Sequence, residues 1–273
     1  MDAINPRLRP REPILNLPAI VTATLAVIVA LHAARALVLS DEADLRLLLS
    51  LALVPARVTA ALAPERAEEI LRGVAALGGT PDEAALRAAF ARYILADPAT
   101  MPWTFLTYAG LHGSWAHALL NGVWLAAFGT PVARRCGAWR YLAVAAVSVV
   151  AGAVLHYAID PTSVSPLIGA SAGVSGLMAA ASRFIFQPRA VSPGGLPGLD
   201  PPWTPLQPLG QLLRHRPAVM FLAIWLVTNL LFGLIATPLL GGSEAGIAWD
   251  AHLGGFVAGF LLLPFLDRRP PPV

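Results

Sequence analysis

The sequence predicts an all-α polytopic membrane protein, a bundle of six transmembrane helices, and three observations lead to this class. Hydrophobic residues make up 56% of the chain and charged residues only 13%, about half of the roughly 25% that soluble domains carry. The apolar residues are grouped into runs of about the 20 residues that a helix needs to cross a bilayer. Short connections with and without arginine alternate between these runs, as expected when a chain crosses a membrane repeatedly.

The first apolar run, Pro18 to Val38, is too long for the hydrophobic region of a cleavable signal peptide and is expected to remain as the first span. Five more runs have similar length and apolar character: Leu106 to Phe128, Trp139 to Ile159, Leu167 to Phe186, Pro217 to Leu240 and Ile247 to Leu266. Together the six runs define one membrane domain, residues 18–266.

Arginine sets the expected orientation, because short cytoplasmic connections are enriched in it. Arginines occur in the tail 1–17, in the turn after the second span, in the proline- and glycine-rich linker 187–216 and in the tail 267–273, whereas the short connections around Asp160 and Glu244 contain none. Both tails and the linker are therefore expected to be cytoplasmic. We expect an integral protein of a bacterial inner membrane.

The long connection between the first two spans, residues 40–101, is expected on the outer side. Within it, Asp82 to Leu95 predicts an amphipathic helix. Its apolar residues on one face are Leu86, Phe90, Tyr93 and Ile94. This helix either lies along the membrane surface or packs into a small sub-domain, and the sequence leaves both possibilities open.

Polar side chains inside the spans are functional candidates, because their burial in lipid is unfavourable. They cluster at the start of three spans: His112, His117 and Asn121 in the second, Ser171 and Ser175 in the fourth, and His252 in the sixth. In the expected orientation these spans all begin on the outer side, so one site at one depth could contain these residues. His117 and Asn121 are four residues apart and share a helix face, whereas His112 is rotated away from it.

Small residues in the fourth and sixth spans indicate close contacts with neighbouring helices. The fourth contains Gly169, Gly173 and Gly176, and the sixth repeats Ala251, Gly255 and Gly259 every four residues. Such residues let helices approach closely. His252 lies close in angle to this ridge, so it meets Ser171 if the ridge packs on the fourth span.

A serine hydroxyl becomes a good nucleophile when a base such as histidine takes its proton, and attack on a carbonyl creates an oxyanion that needs donors. Ser171 and His252 can supply the nucleophile and the base, and the Ser171 N–H, His117 and Asn121 can supply donors to the oxyanion.

Ser175 shares the face of Ser171, but Ser171 lies nearer the helix N-terminus and follows Gly169. Asp250 lies about opposite His252 on its helix, so we expect a dyad and interpret Asp250 as a hydrated carboxylate at the span end.

Three motifs resemble the rhomboid family of intramembrane serine proteases: His112-x4-His117-x3-Asn121, Gly169-Ala170-Ser171, and Ala251-His252-x2-Gly255-x3-Gly259. The resemblance covers about Met101 to Leu266. It implies a rhomboid-like six-helix bundle in which Ser171 is the nucleophile and His252 the base. His117 and Asn121 would line the oxyanion pocket, with His112 and Gly169 shaping the site.

The chain departs from the family pattern at two places. Thr104 follows Trp103 where the family often has arginine, and Ser175 stands where many members carry an aromatic residue that stacks on the catalytic histidine.

The expected activity is an intramembrane serine endopeptidase that cleaves peptide bonds in or near transmembrane segments of single-span or other membrane proteins. No cofactor, metal or nucleic acid is implied, and the single cysteine, Cys136, excludes a disulfide within the chain and a cysteine-based metal site. A non-catalytic binding protein or chaperone on the same scaffold is the main alternative. A metal or proton transporter using His112, His117 and His252 fits less well, because no predicted span buries a carboxylate near its middle.

Overall fold

The structure is a computed structural model that describes residues 16–186, 206–231, 233 and 248–267. Most of the two tails, most of the proline-rich linker, the connection around Glu244 and the end of the fifth predicted span lie outside the described residues. Helices make up most of the described part, in which no strand longer than a single bridge is formed.

The helices fall into a membrane bundle and a group in the long connection. In chain order they are α1 (Ala19–Leu37), α2 (Asp41–Leu51), α3 (Pro55–Leu62), α4 (Ala67–Ala76), α5 (Pro81–Leu95), α6 (Thr104–Thr107), α7 (Trp115–Trp124), α8 (Thr130–Cys136), α9 (Ala138–Ile159), α10 (Ser171–Ser182), α11 (Leu209–Leu212), α12 (Arg216–Leu230) and α13 (Trp249–Leu266). A π-helical turn, Leu125–Gly129, joins α7 to α8.

Within the described residues, three helices are long and apolar enough to cross a membrane, namely α1, α9 and α13, and α12 is a shorter apolar helix. The predicted all-α membrane class is confirmed by these helices, whereas the predicted count of six spans stays a prediction. Apolar side chains also face outward from the bundle, as they do in contact with lipid. Examples are Val150, Val154, Ile224, Val227, Leu261 and Phe265.

The predicted bounds of two spans were wrong. The second helical span starts at Trp115 instead of Leu106, because the Ser114 side chain caps it by accepting the His117 N–H at 3.1 Å, and it continues through the π turn to Cys136. The fourth starts at Ser171 instead of Leu167 and ends at Ser182. Leu167 is extended and donates its N–H to the Leu53 carbonyl at 2.8 Å.

Residues 40–101 form a group of helices with a small core of its own, as in the second of the two possibilities that the sequence left open. Helices α2 to α5 share a small core with Val164, to which α5 contributes Ala91 and Ile94. Of the predicted apolar face, Ile94 lies in this core and Phe90 packs against it. Leu86 and Tyr93 of the same face are 72% and 58% exposed.

The centre of the bundle is the close packing of α9, α10 and α13. A Cβ added at Gly152 of α9 would lie 2.5 Å from the Ala251 carbonyl oxygen. One added at Gly255 or Gly259 of α13 would overlap the backbone of Ala172 or Gly176 of α10. The glycine ridge of the sixth span therefore packs on the fourth span, which is the condition under which His252 was expected to meet Ser171.

We expect Gly259→Ala to lower the free energy of unfolding by about 1–3 kcal/mol, the usual effect of overpacking, because its methyl group meets the rigid Gly176 backbone. Gly73→Ala is the matched control, since Gly73 is a helical glycine of α4 with nothing within 4 Å of an added Cβ. Alanine there should stabilise by about 0.5–1 kcal/mol. Thermal unfolding in detergent measures both changes, and equal stability of the two variants would contradict the close contact.

Candidate active site

Ser171 and His252 meet where α10 and α13 begin. Ser171 is the first residue of α10, and His252 is in the first turn of α13. The His252 Nε2 atom lies 2.7 Å from the Ser171 Oγ atom. This is a short hydrogen bond between a hydroxyl and a ring nitrogen. The structure therefore brings these two side chains together, and their catalytic roles stay a prediction.

The glycine contacts below the pair explain why they meet. Ser and His side chains are short, so their atoms bond only if the two helix backbones nearly touch. At Gly255, three residues after His252, an added Cβ would lie 2.7 Å from the Ala172 carbonyl carbon. This contact places the first turn of α13 directly beside the first turn of α10.

Gly169 has φ of +115°, a conformation that side-chain-bearing residues rarely adopt. A Cβ at this position would lie 2.8 Å from both the Cε1 and the Nε2 atoms of His117 and 3.7 Å from Ser171 Oγ. The His117 ring therefore lies against the Gly169 backbone, beside Ser171. The small residue at 169 leaves room for this ring.

His112 supports the segment that precedes the serine. Its ring is buried, and its Nε2 atom accepts the Ala170 N–H at 3.4 Å. Its ring centroid lies 5.0 Å from that of His117. The His112 carbonyl in turn accepts from Arg35 at 3.0 Å, and Arg35 is paired with Asp44. His112 thus contacts the backbone next to Ser171, although it does not share the helix face of His117.

Asn121 and Ser175 are both buried inside their helices. Asn121 lies on α7 four residues after His117, and Ser175 lies on α10 four residues after Ser171. The described hydrogen bonds connect His252 to Ser171 and not to Ser175. The role of each of these residues stays a prediction.

Asn229 is a polar contact of the site that the sequence analysis missed. It is buried in α12, and its Oδ1 atom lies 2.8 Å from His252 Nδ1. Its Nδ2 atom donates to the Trp249 carbonyl at 2.9 Å. The signal available in the sequence was a carboxamide inside an otherwise apolar span, which is unfavourable in lipid and marks a functional candidate.

The interpretation of Asp250 as a hydrated carboxylate was wrong. Asp250 is only 5% exposed, and its Oδ1 atom lies 2.9 Å from His156 Nδ1 of α9. The same oxygen accepts the Ala251 N–H at 2.6 Å. The carboxylate is therefore buried and paired with His156 on another helix, because the close packing of α9 and α13 excludes water from this end of the span.

The Trp103–Thr104 segment is attached without an arginine at position 104. Trp103 Nε1 donates to the Ser50 carbonyl at 2.9 Å, and Thr107 Oγ1 donates to the Leu51 carbonyl at 2.7 Å. Thr104 is buried and donates its hydroxyl to the Met101 carbonyl. The segment thus caps the end of α2 with side-chain donors.

In the part of the chain that the structure describes, no cluster of three or more His, Cys, Asp or Glu side chains could hold a metal ion. The arrangement that is present, a hydroxyl bonded to an imidazole beside helix N-terminal N–H groups, fits nucleophilic attack on a carbonyl.

The chain is similar to known proteins. A family model described as Rhomboid domain matches residues 99–269, more than half of the chain. The chain is also similar to Rhomboid-related protein 1 of Caenorhabditis elegans, with 38% identity over 76 residues, or 28% of this chain. The aligned part is only 21% of the length of that relative.

We expect Gly169→Ala to destabilise the protein by about 1–3 kcal/mol, because alanine is strained at this φ and its methyl group would press on the His117 ring. Gly113→Ala is the matched loop control, since its added Cβ would meet only Ile168 Cδ1, at 3.4 Å. Thermal unfolding of both variants in detergent tests this, and a Gly169→Ala protein as stable as Gly113→Ala would be inconsistent with the local geometry.

Proposed function

Because the chain belongs to the rhomboid family, we propose that it is an intramembrane serine endopeptidase that cleaves peptide bonds in or near transmembrane segments of other membrane proteins. The observation that carries the proposal is the 2.7 Å contact between Ser171 Oγ and His252 Nε2 among apolar helices. A protein that only bound its partners would have no need for a base beside a hydroxyl.

In the proposed reaction, Ser171 Oγ attacks the carbonyl carbon of the scissile bond while its proton passes to His252 Nε2. The tetrahedral intermediate collapses as the C–N bond breaks, and the imidazolium gives the proton to the leaving amine. Water then attacks the acyl-enzyme with His252 again as base, which releases the acid and restores the Ser171 hydroxyl.

The oxyanion of each intermediate needs donors that are already in place. The first N–H groups of a helix have no acceptor within that helix, so the Ser171 N–H at the start of α10 is one candidate. His117, beside Gly169, and Asn121 are side-chain candidates. In this proposal, His112 and Gly169 keep the loop before Ser171 in the conformation that aims these donors.

The proposed partners are the lipid bilayer and single-span or other transmembrane proteins. With both tails on the cytoplasmic side, the starts of α7, α10 and α13 open toward the outer side, where water can reach Ser171. The proposed location is the inner membrane of a bacterial cell.

The nucleophile is tested by labelling with a fluorophosphonate probe and by cleavage of a panel of single-span substrates. We expect the wild type and Ser175→Ala to be labelled and to cleave, and Ser171→Ala to do neither, because His252 bonds to Ser171. Loss of labelling in Ser175→Ala alone would move the nucleophile to Ser175. A wild type that binds these substrates without labelling or cleavage would favour a non-catalytic binding protein.

The oxyanion pocket is tested by Asn121→Ala. Removal of one donor typically slows turnover by about 10²–10³-fold, and we expect a loss of about 10- to 1000-fold, since other donors remain. The measurement is kcat on a cleaved substrate, with the thermal unfolding midpoint as the control for folding. Unchanged kcat in a folded variant would remove Asn121 from the mechanism.

A further inference from the structure

We infer that Asn229 is a positioning residue that holds His252 in the one neutral form able to accept the serine proton. Its catalytic consequence rests on the proposed function, whereas the protonation state it sets can be measured independently. The observation is a chain of three hydrogen bonds, from the Trp249 carbonyl through the Asn229 amide to the His252 ring, and from that ring to Ser171 Oγ.

The orientation of the Asn229 amide follows from its partners. The Trp249 carbonyl can only accept a hydrogen bond, so the group 2.9 Å from it must be the amide NH₂. The amide oxygen then faces His252 Nδ1 at 2.8 Å. This oxygen can also only accept, so Nδ1 must carry a hydrogen.

A neutral imidazole carries one hydrogen, on one of its two nitrogens. With the hydrogen fixed on Nδ1, the Nε2 lone pair is available 2.7 Å from Ser171 Oγ. The other neutral form would point an N–H at the hydroxyl oxygen and could not take its proton. Asn229 thus selects the form that acts as a base, and it also fixes the rotation of the ring.

The alternative partner for the ring, Asp250, is engaged elsewhere. Its carboxylate is bonded to His156 and to the Ala251 N–H, and Ser175 offers no ring to stack on His252. Asn229 is the side chain that contacts Nδ1. The Asn229 amide is neutral, so it orients the ring without placing another buried charge, besides that of Asp250, beside the dyad. A further buried charge would be unfavourable in lipid.

Helix α12 is held where this contact can form. Trp225, one turn before Asn229, stacks on Phe256 of α13 with ring centroids 4.2 Å apart. The two contacts, one aromatic and one polar, link the same face of α12 to the first two turns of α13. Asn229 is therefore aimed at His252 by its own helix and by the Trp249 carbonyl.

The test compares Asn229→Leu, which keeps a similar volume and removes both polar groups, with Thr228→Val. Thr228 is exposed on α12, so its variant removes a polar group of the same helix without touching His252. The first measurement is ¹⁵N NMR of protein labelled at its six histidines, with the His252 signals assigned from their loss in His252→Ala. The second is kcat and KM on a cleaved substrate.

In the wild type and Thr228→Val we expect His252 to carry its hydrogen on Nδ1. In Asn229→Leu we expect both neutral forms to be populated, and kcat to fall by about 100-fold with little change in KM, as when a catalytic group is misplaced or held in the wrong form. A merely structural role would lower the unfolding temperature of Asn229→Leu without changing the protonated nitrogen.

Two results would overturn the inference. One is a wild-type His252 that carries its hydrogen on Nε2, a result that needs no variant to fold. The other is an Asn229→Leu protein that keeps both the Nδ1 hydrogen and the wild-type kcat. If wild type and Thr228→Val neither cleave nor label, the proposed function fails, and the NMR spectra still decide whether Asn229 fixes the ring.

Discussion

The backbone contact between α10 and α13 is the constraint on which the rest of the structure depends. Ser171 and His252 are 81 residues apart, and their side chains bridge only a few ångströms. Lipid is as apolar as the helices, so a large hydrophobic side chain gains little by leaving it, and helices associate through close packing of small residues instead. Gly255 and Gly259 on Ala172 and Gly176 supply that packing, and the 2.7 Å contact above them is its consequence.

The segment before Ser171, residues 167–170, is held in place by contacts with earlier parts of the chain. The Leu53–Leu167 bridge attaches it to residues that precede the range matched by the family model, residues 99–269. His112 then binds the Ala170 N–H, and Gly169 turns the backbone into α10. Residues 40–101 therefore support the loop that carries the serine through the pairing of Leu53 with Leu167.

The sequence predicted the features that depend on local composition, such as the apolar segments. It did not predict the contacts that depend on how the helices are rotated relative to one another. Hydropathy found the apolar segments but not the bounds, because extended Leu167 is as apolar as a helical residue and only its pairing with Leu53 distinguishes it. The glycine ridge showed which face of the sixth span contacts a neighbouring helix, and His252 would meet Ser171 if that neighbour was the fourth span. Asn229 and the His156–Asp250 pair were missed, because a single polar residue, unlike a ridge of small residues, does not show which neighbouring helix it contacts.

The polar contacts around His252 keep the buried carboxylate of Asp250 away from the imidazole of the proposed dyad. A carboxylate next to the ring would favour the charged imidazolium, and a buried pair that lost one partner would be strongly unfavourable. Here Asp250, in the first turn of α13, is bonded to His156 of α9, while the neutral Asn229 contacts the ring from α12. Helix α12 is peripheral, because its residues Ile224 and Val227 are exposed on the lipid side. It contacts α13 through Trp225 and Asn229. The orientation of His252 in the proposed dyad therefore depends on a peripheral helix as well as on the glycine contacts at the centre of the bundle.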